Sequence, residues 1–165
     1  MQQSKMRVGI GYDAHRLIAG RRLVLGGIEI PYDKGLIGWS DADVLTHALI
    51  DALLGAAALG DIGSHFPPGD PKYKDISSLV LLGSVKDELE SHGWKVSNID
   101  ATIIAEQPRL RDFIDSMRQK LSQTLGITPE QVGVKASTSD SLGSIGRGEG
   151  IAAYAVAMLE TVSDR

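Results

Sequence analysis

The chain has 165 residues, of which 42% are hydrophobic, and a formal net charge of -4. This length suits one compact domain, residues 1–165, and is short for two. The slight negative charge argues against nucleic acid or an anionic membrane as a partner, so any phosphate site must be local. The sequence has no cysteine, which excludes disulfides, thiolate catalysis and thiolate-ligated metals. It contains no signal-peptide pattern and no apolar run of about 18 residues, which predicts a cytoplasmic protein.

The first third of the chain reads as short strands followed by a helix. Residues 7–12 and 22–30 are rich in β-forming side chains, and residues 31–35 have the composition of a turn. Ser40-x-x-Asp43 resembles a capping box, and the apolar residues that follow recur at helical spacing as far as Gly60. This pattern predicts the clearest helix of the chain.

The rest of the chain alternates between the two kinds of element. Residues 61–75 form a loop rich in Gly, Pro and Asp, and such loops often carry function. Helices are predicted at residues 77–91 and 111–125, and strands at 94–105 and 132–136. Periodicity leaves residues 151–161 open between helix and strand. One mixed sheet with interleaved helices is the simplest architecture.

A metal site is the first candidate for chemistry. Asp13 and His15 have the same parity on a predicted strand, so their side chains point in roughly the same direction. His47, on the predicted helix, could supply a third ligand, since Zn²⁺ accepts imidazole nitrogen and carboxylate oxygen and catalytic sites keep one position open. The alternative is that Asp-x-His occurs by chance and that His47 is a core residue.

Three further segments allow both functional and structural interpretations. Residues 135–150 combine hydroxyls, four glycines and an Arg-x-Glu, which suits phosphate binding but also fits a flexible connection. Asp61-Ile62-Gly63 could face a polyol or form an ordinary turn after a helix. His65 could contact a substrate, whereas His92 is better explained as a cation at the negative end of a helix dipole.

Several long segments, taken in order, resemble the cyclodiphosphate synthases of the methylerythritol phosphate route to isoprenoids. They are G-x-G-Y-D-A-H-R, IPYDKGLIGWSDADVLTHALIDALLGAAALGDIGSHFPPGDP, NIDATIIAEQPRL and VKASTSDSLGSIGRGEGIAAYAV. The resemblance covers nearly the whole chain. It implies an α+β fold with a mixed four- to five-stranded sheet covered by helices, a final strand at residues 151–161, and a chorismate-mutase-like homotrimer with active sites between subunits.

The resemblance also implies roles for individual residues. It assigns Zn²⁺ or a similar divalent ion to Asp13, His15 and His47, with Asp13, His15 and Trp39 also near the substrate. Contacts to the methylerythritol phosphate part are implied for Ser40, Asp61, Ile62, Gly63, Phe66 and Asp70. The backbone that recognises cytosine is implied at Ala105, Pro108, Arg109, Leu110 and Arg111. Contacts to the phosphates and the rest of the substrate are implied for Ser137, Thr138, Ser139, Asp140, Ser144 and Arg147.

Two residues depart from the pattern of many relatives. Trp39 stands where a His is common, at a position implied to stabilise the transition state, and an indole can donate a hydrogen bond but cannot exchange a proton. Asp140 stands where Glu is common, which keeps the carboxylate but shortens its reach toward Mg²⁺ or Mn²⁺ at the substrate diphosphate. With Thr138, these residues form the implied catalytic set.

The implied reaction is cyclisation of 4-diphosphocytidyl-2-C-methyl-D-erythritol 2-phosphate with release of CMP. The substrate's own phosphate is the nucleophile, so the protein has to supply positioning and charge neutralisation. Two alternatives are a zinc-dependent phosphodiesterase that uses bound water, and a non-catalytic trimer that binds an isoprenoid diphosphate in a central cavity. The second is motivated by Arg147 and Glu149 beside the apolar residues 151–153.

Overall fold

The fold is built around one mixed five-stranded sheet, seen in a computed structural model that describes residues 5–162. The strands are β1 (Met6–Ala19), β2 (Leu23–Leu25), β3 (Ile28–Ile30), β4 (Lys34–Leu36), β5 (Trp94–Ile104), β6 (Val132–Ser137) and β7 (Gly150–Thr161). The sheet order is β4-β1-β7-β5-β6, in which only β5 and β6 run parallel, and β2 and β3 form a separate hairpin. The predicted α+β fold is therefore confirmed.

Within residues 5–162, five α-helices accompany the sheet: α1 (Val44–Ala57), α2 (Ile62–His65), α3 (Ser78–Ser91), α4 (Ile114–Leu125) and α5 (Gly143–Gly146). The long helices α1, α3 and α4 lie on one side of the sheet, and α1 contributes many of the fully buried leucines of the core. Among residues 5–162, no helix is long and apolar enough to cross a membrane.

Strand β1 shows a two-residue alternation that divides its side chains between the two faces. Gly9, Gly11, Asp13 and His15 face the helices, whereas the intervening residues point the other way. That outer face exposes apolar side chains of β1 and β7, namely Met6, Val8, Ile10, Tyr12, Tyr154 and Val156. The sheet is thus covered on one side within this chain, and the other side presents an apolar surface.

The predicted start of α1 at Ser40 is wrong by one turn. Ala42 has a left-handed backbone (φ 57°), so the helix begins only after Asp43, whose carboxylate accepts the N–H of Thr46 at 3.1 Å. The buried Asp43 also accepts the backbone N–H groups of Gly26 and Gly27 at 2.9 and 2.8 Å. The N-cap of α1 therefore also fixes the β2–β3 turn against the helix.

Other boundaries differ from the sequence predictions for local reasons. Residues 22–30 are two strands rather than one, because Gly26 and Gly27 both adopt positive φ and make a two-residue hairpin turn. The turn predicted at residues 31–35 runs into the edge strand β4, and residues 111–113 form a 3₁₀ turn before α4. The final segment is strand β7, which settles the choice that periodicity left open.

Candidate metal centre and nucleotide pocket

Two glycines bring β1 unusually close to α1. A Cβ at Gly9 would lie 2.1 Å from the carbonyl oxygen of Ala52, and one at Gly11 would lie 1.9 Å from that of Ala48. Only glycine permits such an approach of two backbones. Since β1 carries Asp13 and His15, and His47 precedes Ala48 on α1, this contact sets the separation of the three predicted ligands.

The structure brings Asp13, His15 and His47 together as the sequence predicts. Asp13 Oδ2 lies 2.8 Å from His15 Nε2 and 3.1 Å from His47 Nδ1, and the two nitrogens are 3.3 Å apart. Ligand atoms about 2.0–2.1 Å from a tetrahedral zinc ion are about 3.3 Å from one another. The three atoms would therefore have to move apart only slightly to hold a zinc-sized cation. Two nitrogens and one oxygen also form a donor set that zinc accepts.

In each histidine, the ring nitrogen that faces away from the cluster also has a hydrogen-bond partner. His15 Nδ1 donates to the carbonyl oxygen of Ile37 at 2.9 Å, which leaves Nε2 free to act as a ligand. His47 Nε2 lies 3.1 Å from the hydroxyl of Ser40 and 2.9 Å from that of Ser78. Ser40, which does not cap α1, instead lies almost buried beside the metal ligand.

The ionisation of the cluster favours a cation between its side chains. Burial on its own would raise the pKa of Asp13, but hydrogen bonds from His15 and His47 and their positive charge outweigh burial and lower that pKa to about 2. Burial would lower the pKa of His15, but its hydrogen bond to Asp13 and the charge of that carboxylate outweigh burial and raise the pKa. A divalent cation between these side chains would likewise stabilise the negative charge of Asp13.

Trp39 and Asp70 meet at the edge of this centre. The indole Nε1 of Trp39 donates to the carbonyl oxygen of Asp70 at 2.8 Å, and the ring is 39% exposed. Trp39 is therefore a surface residue that holds residues 66–70 near the metal ligands. Its N–H already has an acceptor, which limits it as a donor to a substrate unless that bond is exchanged.

Residues 61–65 are ordered by hydrogen bonds within the chain. Asp61 caps α2 through the N–H of Ser64 at 2.8 Å, and the N–H of Ile62 donates to Asp51 at 2.8 Å. His65 lies 2.7 Å from the carbonyl oxygen of Leu59 and 3.1 Å from Glu88. These partners give His65 a structural role, and its contact with a substrate stays a prediction.

His92 caps α3 with its backbone and its ring. Its backbone N–H bonds the carbonyl oxygen of Glu88 at 3.2 Å, and its Nδ1 lies 2.9 Å from the same oxygen. This is the helix-terminal position that the sequence predicts.

A cavity of about 810 Å³ lies between the end of β6, the start of α4 and residues 105–111, which follow β5. Its lining includes the predicted cytosine-recognition residues Ala105, Pro108, Arg109, Leu110 and Arg111, together with Ser137 and Thr138 from the end of β6. The structure therefore brings the two predicted segments into one pocket, whose lining includes two hydroxyl-bearing residues.

The loop after β6 is held in an unusual conformation by a residue that the sequence analysis missed. Asp140 and Ser141 both have left-handed backbones, with φ of 51° and 61°. The carboxylate of Glu106 accepts the N–H of Ser139 at 3.2 Å and that of Ser141 at 2.6 Å. Gly146 lies against the same loop, since a Cβ there would be 2.2 Å from the carbonyl carbon of Ser141. No local pattern marks Glu106, because the N–H groups that donate to its carboxylate lie far along the chain.

The remaining predicted phosphate contacts are exposed. Ser144 lies on the short helix α5, and Arg147 follows it, with its Nε 2.7 Å from Glu149. Lys135 pairs with Asp100 on the outer face at 2.5 Å.

The metal centre and the pocket lie toward the same end of the sheet but on different strands. His15 pairs with Ile151 on β7, the next residue of β7 pairs with Ile104 on β5, and Ile104 pairs with Ser137 on β6. Three strand spacings of about 4.8 Å place His15 and Ser137 about 14 Å apart. Within one chain the two sites are therefore separate.

The sequence of this chain matches a known protein family along nearly its whole length. The profile of the YgbB family matches residues 6–160. The 2-C-methyl-D-erythritol 2,4-cyclodiphosphate synthase of Dehalococcoides mccartyi strain CBDB1 is 62% identical over 155 residues, covering 94% of this chain and 99% of that protein.

Two solved structures are also similar. The bifunctional IspDF of Campylobacter jejuni matches with a TM-score of 0.94 and 38% identity over 98% of this chain, which spans only 44% of that longer protein. A CDP complex of IspF from Plasmodium falciparum matches with a TM-score of 0.84 and 28% identity, covering 96% of this chain and 97% of that one. On the profile match and the full-length identity to its relatives, the chain belongs to the YgbB family.

Proposed function

We propose that this protein cyclises 4-diphosphocytidyl-2-C-methyl-D-erythritol 2-phosphate to 2-C-methyl-D-erythritol 2,4-cyclodiphosphate and releases CMP. The observation that carries the proposal is the Asp13, His15 and His47 cluster, in a chain that matches relatives named for this synthase along almost their whole length. The reaction forms a P–O bond from the substrate's 2-phosphate to the β-phosphorus and breaks the bond to CMP. The protein therefore needs no nucleophile of its own.

Asp13, His15 and His47 would hold Zn²⁺ or a similar ion. Such an ion, when bound, would neutralise and orient the phosphate under attack. The histidine side chains are 19% and 11% exposed, and the Asp13 side chain is 26% exposed, so the centre is open on one side. Trp39, Ser40 and residues 61–70 would close around the methylerythritol part.

The loop at Asp140 would serve the leaving group. Mg²⁺ or Mn²⁺ prefers oxygen ligands and retains waters, so one carboxylate and the diphosphate of the substrate can hold it. Asp140 is exposed at the tip of the loop that Glu106 fixes, and Thr138 lines the adjoining pocket. In the proposal, Thr138 donates its hydroxyl to the phosphoryl group in transit and Asp140 binds the cation.

The cavity between β6, α4 and residues 105–111 would take the cytidine. Pro108 and Leu110 offer apolar contact to a base, and the backbone of this segment offers hydrogen bonds that can read its edge. The Plasmodium structure with CDP supports a cytidine nucleotide as the class of ligand.

A homotrimer with active sites between subunits would complete this arrangement. The apolar outer face of β1 and β7 gives a second copy a surface to cover, with Val8 65% and Ile10 72% exposed. An assembled neighbour could also bring its pocket toward a metal centre about 14 Å from the pocket of the same chain.

A central cavity between subunits would need a different lining from the one the sequence suggests. Ile151, Ala152 and Ala153 are buried within the chain, so they cannot line a space between subunits. An isoprenoid diphosphate in that cavity would instead meet exposed side chains such as Tyr12, Tyr154 and Arg147.

The test is a phosphorus NMR time course with the CDP-linked substrate, zinc and Mg²⁺. We expect equal amounts of CMP and a cyclic diphosphate. A linear phosphate product would indicate the water-using phosphodiesterase instead, and absence of turnover would leave only the non-catalytic binder. The matched variant is His47→Ala, which should lose bound zinc and nearly all turnover while staying folded, because Ala is tolerated within a helix. Full zinc content in that variant would refute the ligand assignment.

A further inference from the structure

The two ring nitrogens of His47 have different surroundings, and the nitrogen that faces away from Asp13 and His15 bears on metal binding. Its Nδ1 faces Asp13 and His15, while its Nε2 points to the hydroxyl of Ser78 at 2.9 Å. A metal-ligating nitrogen must be unprotonated, so the hydrogen of a neutral imidazole has to reside on the other nitrogen. Whatever fixes that hydrogen on Nε2 prepares Nδ1 as a ligand.

The direction of the Ser78 hydroxyl is determined by Asp41. Ser78 is fully buried at the start of α3, and its Oγ donates a short hydrogen bond to Asp41 Oδ1. A hydroxyl has one hydrogen, so its oxygen can only accept from the imidazole. Asp41 is itself held in place, since it accepts the N–H of Ser78 at 2.9 Å and that of Asp43 at 3.1 Å.

From this chain of contacts we infer that Asp41 and Ser78 are positioning residues for the metal site: they keep the hydrogen of His47 on Nε2 and direct Nδ1 to the cation. The carboxylate acts on the imidazole through the hydroxyl rather than by direct contact. The inference rests on the proposed metal site and adds two residues outside its ligands. His15 achieves the same result more simply, with the carbonyl oxygen of Ile37 as the acceptor.

A purely structural role for these residues predicts a different outcome. Asp41 also binds the N–H of Ser78, which is the first residue of α3, so the pair could serve only to start that helix. Ser78→Ala separates the two roles, because it keeps the backbone N–H for Asp41 and removes only the hydroxyl. The loss of the hydroxyl leaves His47 Nε2 with Ser40 alone, at 3.1 Å.

The experiment measures zinc affinity by competition with a chromogenic chelator, with circular dichroism and thermal unfolding of the same samples. Ser78→Ala and Asp41→Asn should each weaken zinc binding by about 10–100-fold, the usual effect of losing a partner of a ligating histidine. The double variant should lose little more than either single one, because both changes interrupt one chain of contacts. The control is Ser84→Ala on the same helix, whose hydroxyl is exposed and bonds only to Val80 at 3.2 Å; it should bind zinc normally.

A second readout follows the hydrogen itself. In the zinc-loaded protein, ¹⁵N NMR of the imidazole should show the hydrogen of His47 on Nε2, and Asp41→Asn should broaden or shift that signal. Zinc affinity of a folded Ser78→Ala or Asp41→Asn protein within about twofold of the unmodified one would overturn the inference and leave the metal site intact. If the unmodified protein itself fails to bind zinc, the metal site and this inference both fall.

Discussion

Replacing Gly11 with alanine tests whether the contact between β1 and α1 sets the geometry of the metal ligands. The added methyl would lie 1.9 Å from the carbonyl oxygen of Ala48 and 2.8 Å from the nitrogen of Ala52. Real Cβ contacts are hardly ever under 3.0 Å, so α1 has to retreat by about 1 Å or more in a close-packed interior. His47 moves with this turn of the helix, whereas Asp13 and His15 stay on the strand.

The expected size of the effect follows from this displacement. Metal sites accept deviations of only about 0.2 Å in the metal–ligand distances, so we expect zinc affinity to fall by at least about tenfold. Overpacking a core costs about 1–3 kcal/mol, and contact with helix backbone places this variant at the upper end, about 3 kcal/mol. Chelator competition and urea unfolding measure the two quantities.

The matched control is Gly83→Ala on α3. Apart from the adjoining backbone of α3, no atom of the described residues lies within 4 Å of a Cβ there, so the change should leave zinc binding unaltered and stabilise the fold by about 0.5–1 kcal/mol. If Gly11→Ala bound zinc and unfolded like the unmodified protein, the glycine contact would not determine the site.

Three further predictions concern Asp140, Trp39 and pH. Asp140→Asn should leave zinc content unchanged and raise the Mg²⁺ or Mn²⁺ concentration needed for half-maximal CMP release, since the amide keeps the shape and loses the charge; an unchanged requirement would remove Asp140 as a ligand. Trp39→His should retain substantial turnover, because the indole is exposed; a lowered melting temperature with unaltered turnover of the folded fraction would make it a structural residue. In metal-free protein, the raised pKa of His15 contributes stability that is complete below its ordinary value of 6.5 and is lost as pH rises through the folded value. Urea titrations in the presence of a chelator should therefore show a lower free energy of unfolding at about pH 8 than at about pH 6, and His15→Gln should remove most of that difference. If the free energy of unfolding of the variant fell by the same amount between the two pH values, His15 would not be its source.

The three residues of the candidate metal centre could be predicted because their signal is local. Asp13 and His15 share the parity of one strand, and His47 lies on a helix whose periodicity is clear. Their meeting in space is confirmed by the structure, and it depends on Gly9 and Gly11, whose role is invisible until the helix is placed against the strand.

The residues that escaped prediction act through backbone groups or through a third residue. Glu106 binds two N–H groups of a loop more than thirty residues away, and Asp41 reaches His47 only through Ser78. The start of α1 was misplaced for a related reason. Ser40-x-x-Asp43 has capping-box character, but the left-handed Ala42 reverses the chain locally, so Asp43 becomes the cap. Such backbone reversals at non-glycine residues leave no periodic trace.

The pairing of β1 with β7 also determines when the protein can fold during synthesis. Met6 pairs with Glu160 and Arg16 with Gly150, so these two neighbouring strands of the sheet come from opposite ends of the described chain. In a nascent chain that still lacks β7, one whole edge of β1, the strand that carries Asp13 and His15, has no strand to pair with. Contacts of such high sequence separation slow folding, because the loop entropy is lost before the pairing energy is gained. Asp13 and His15 are synthesised long before β7, so their strand reaches its final environment only after β7 has followed.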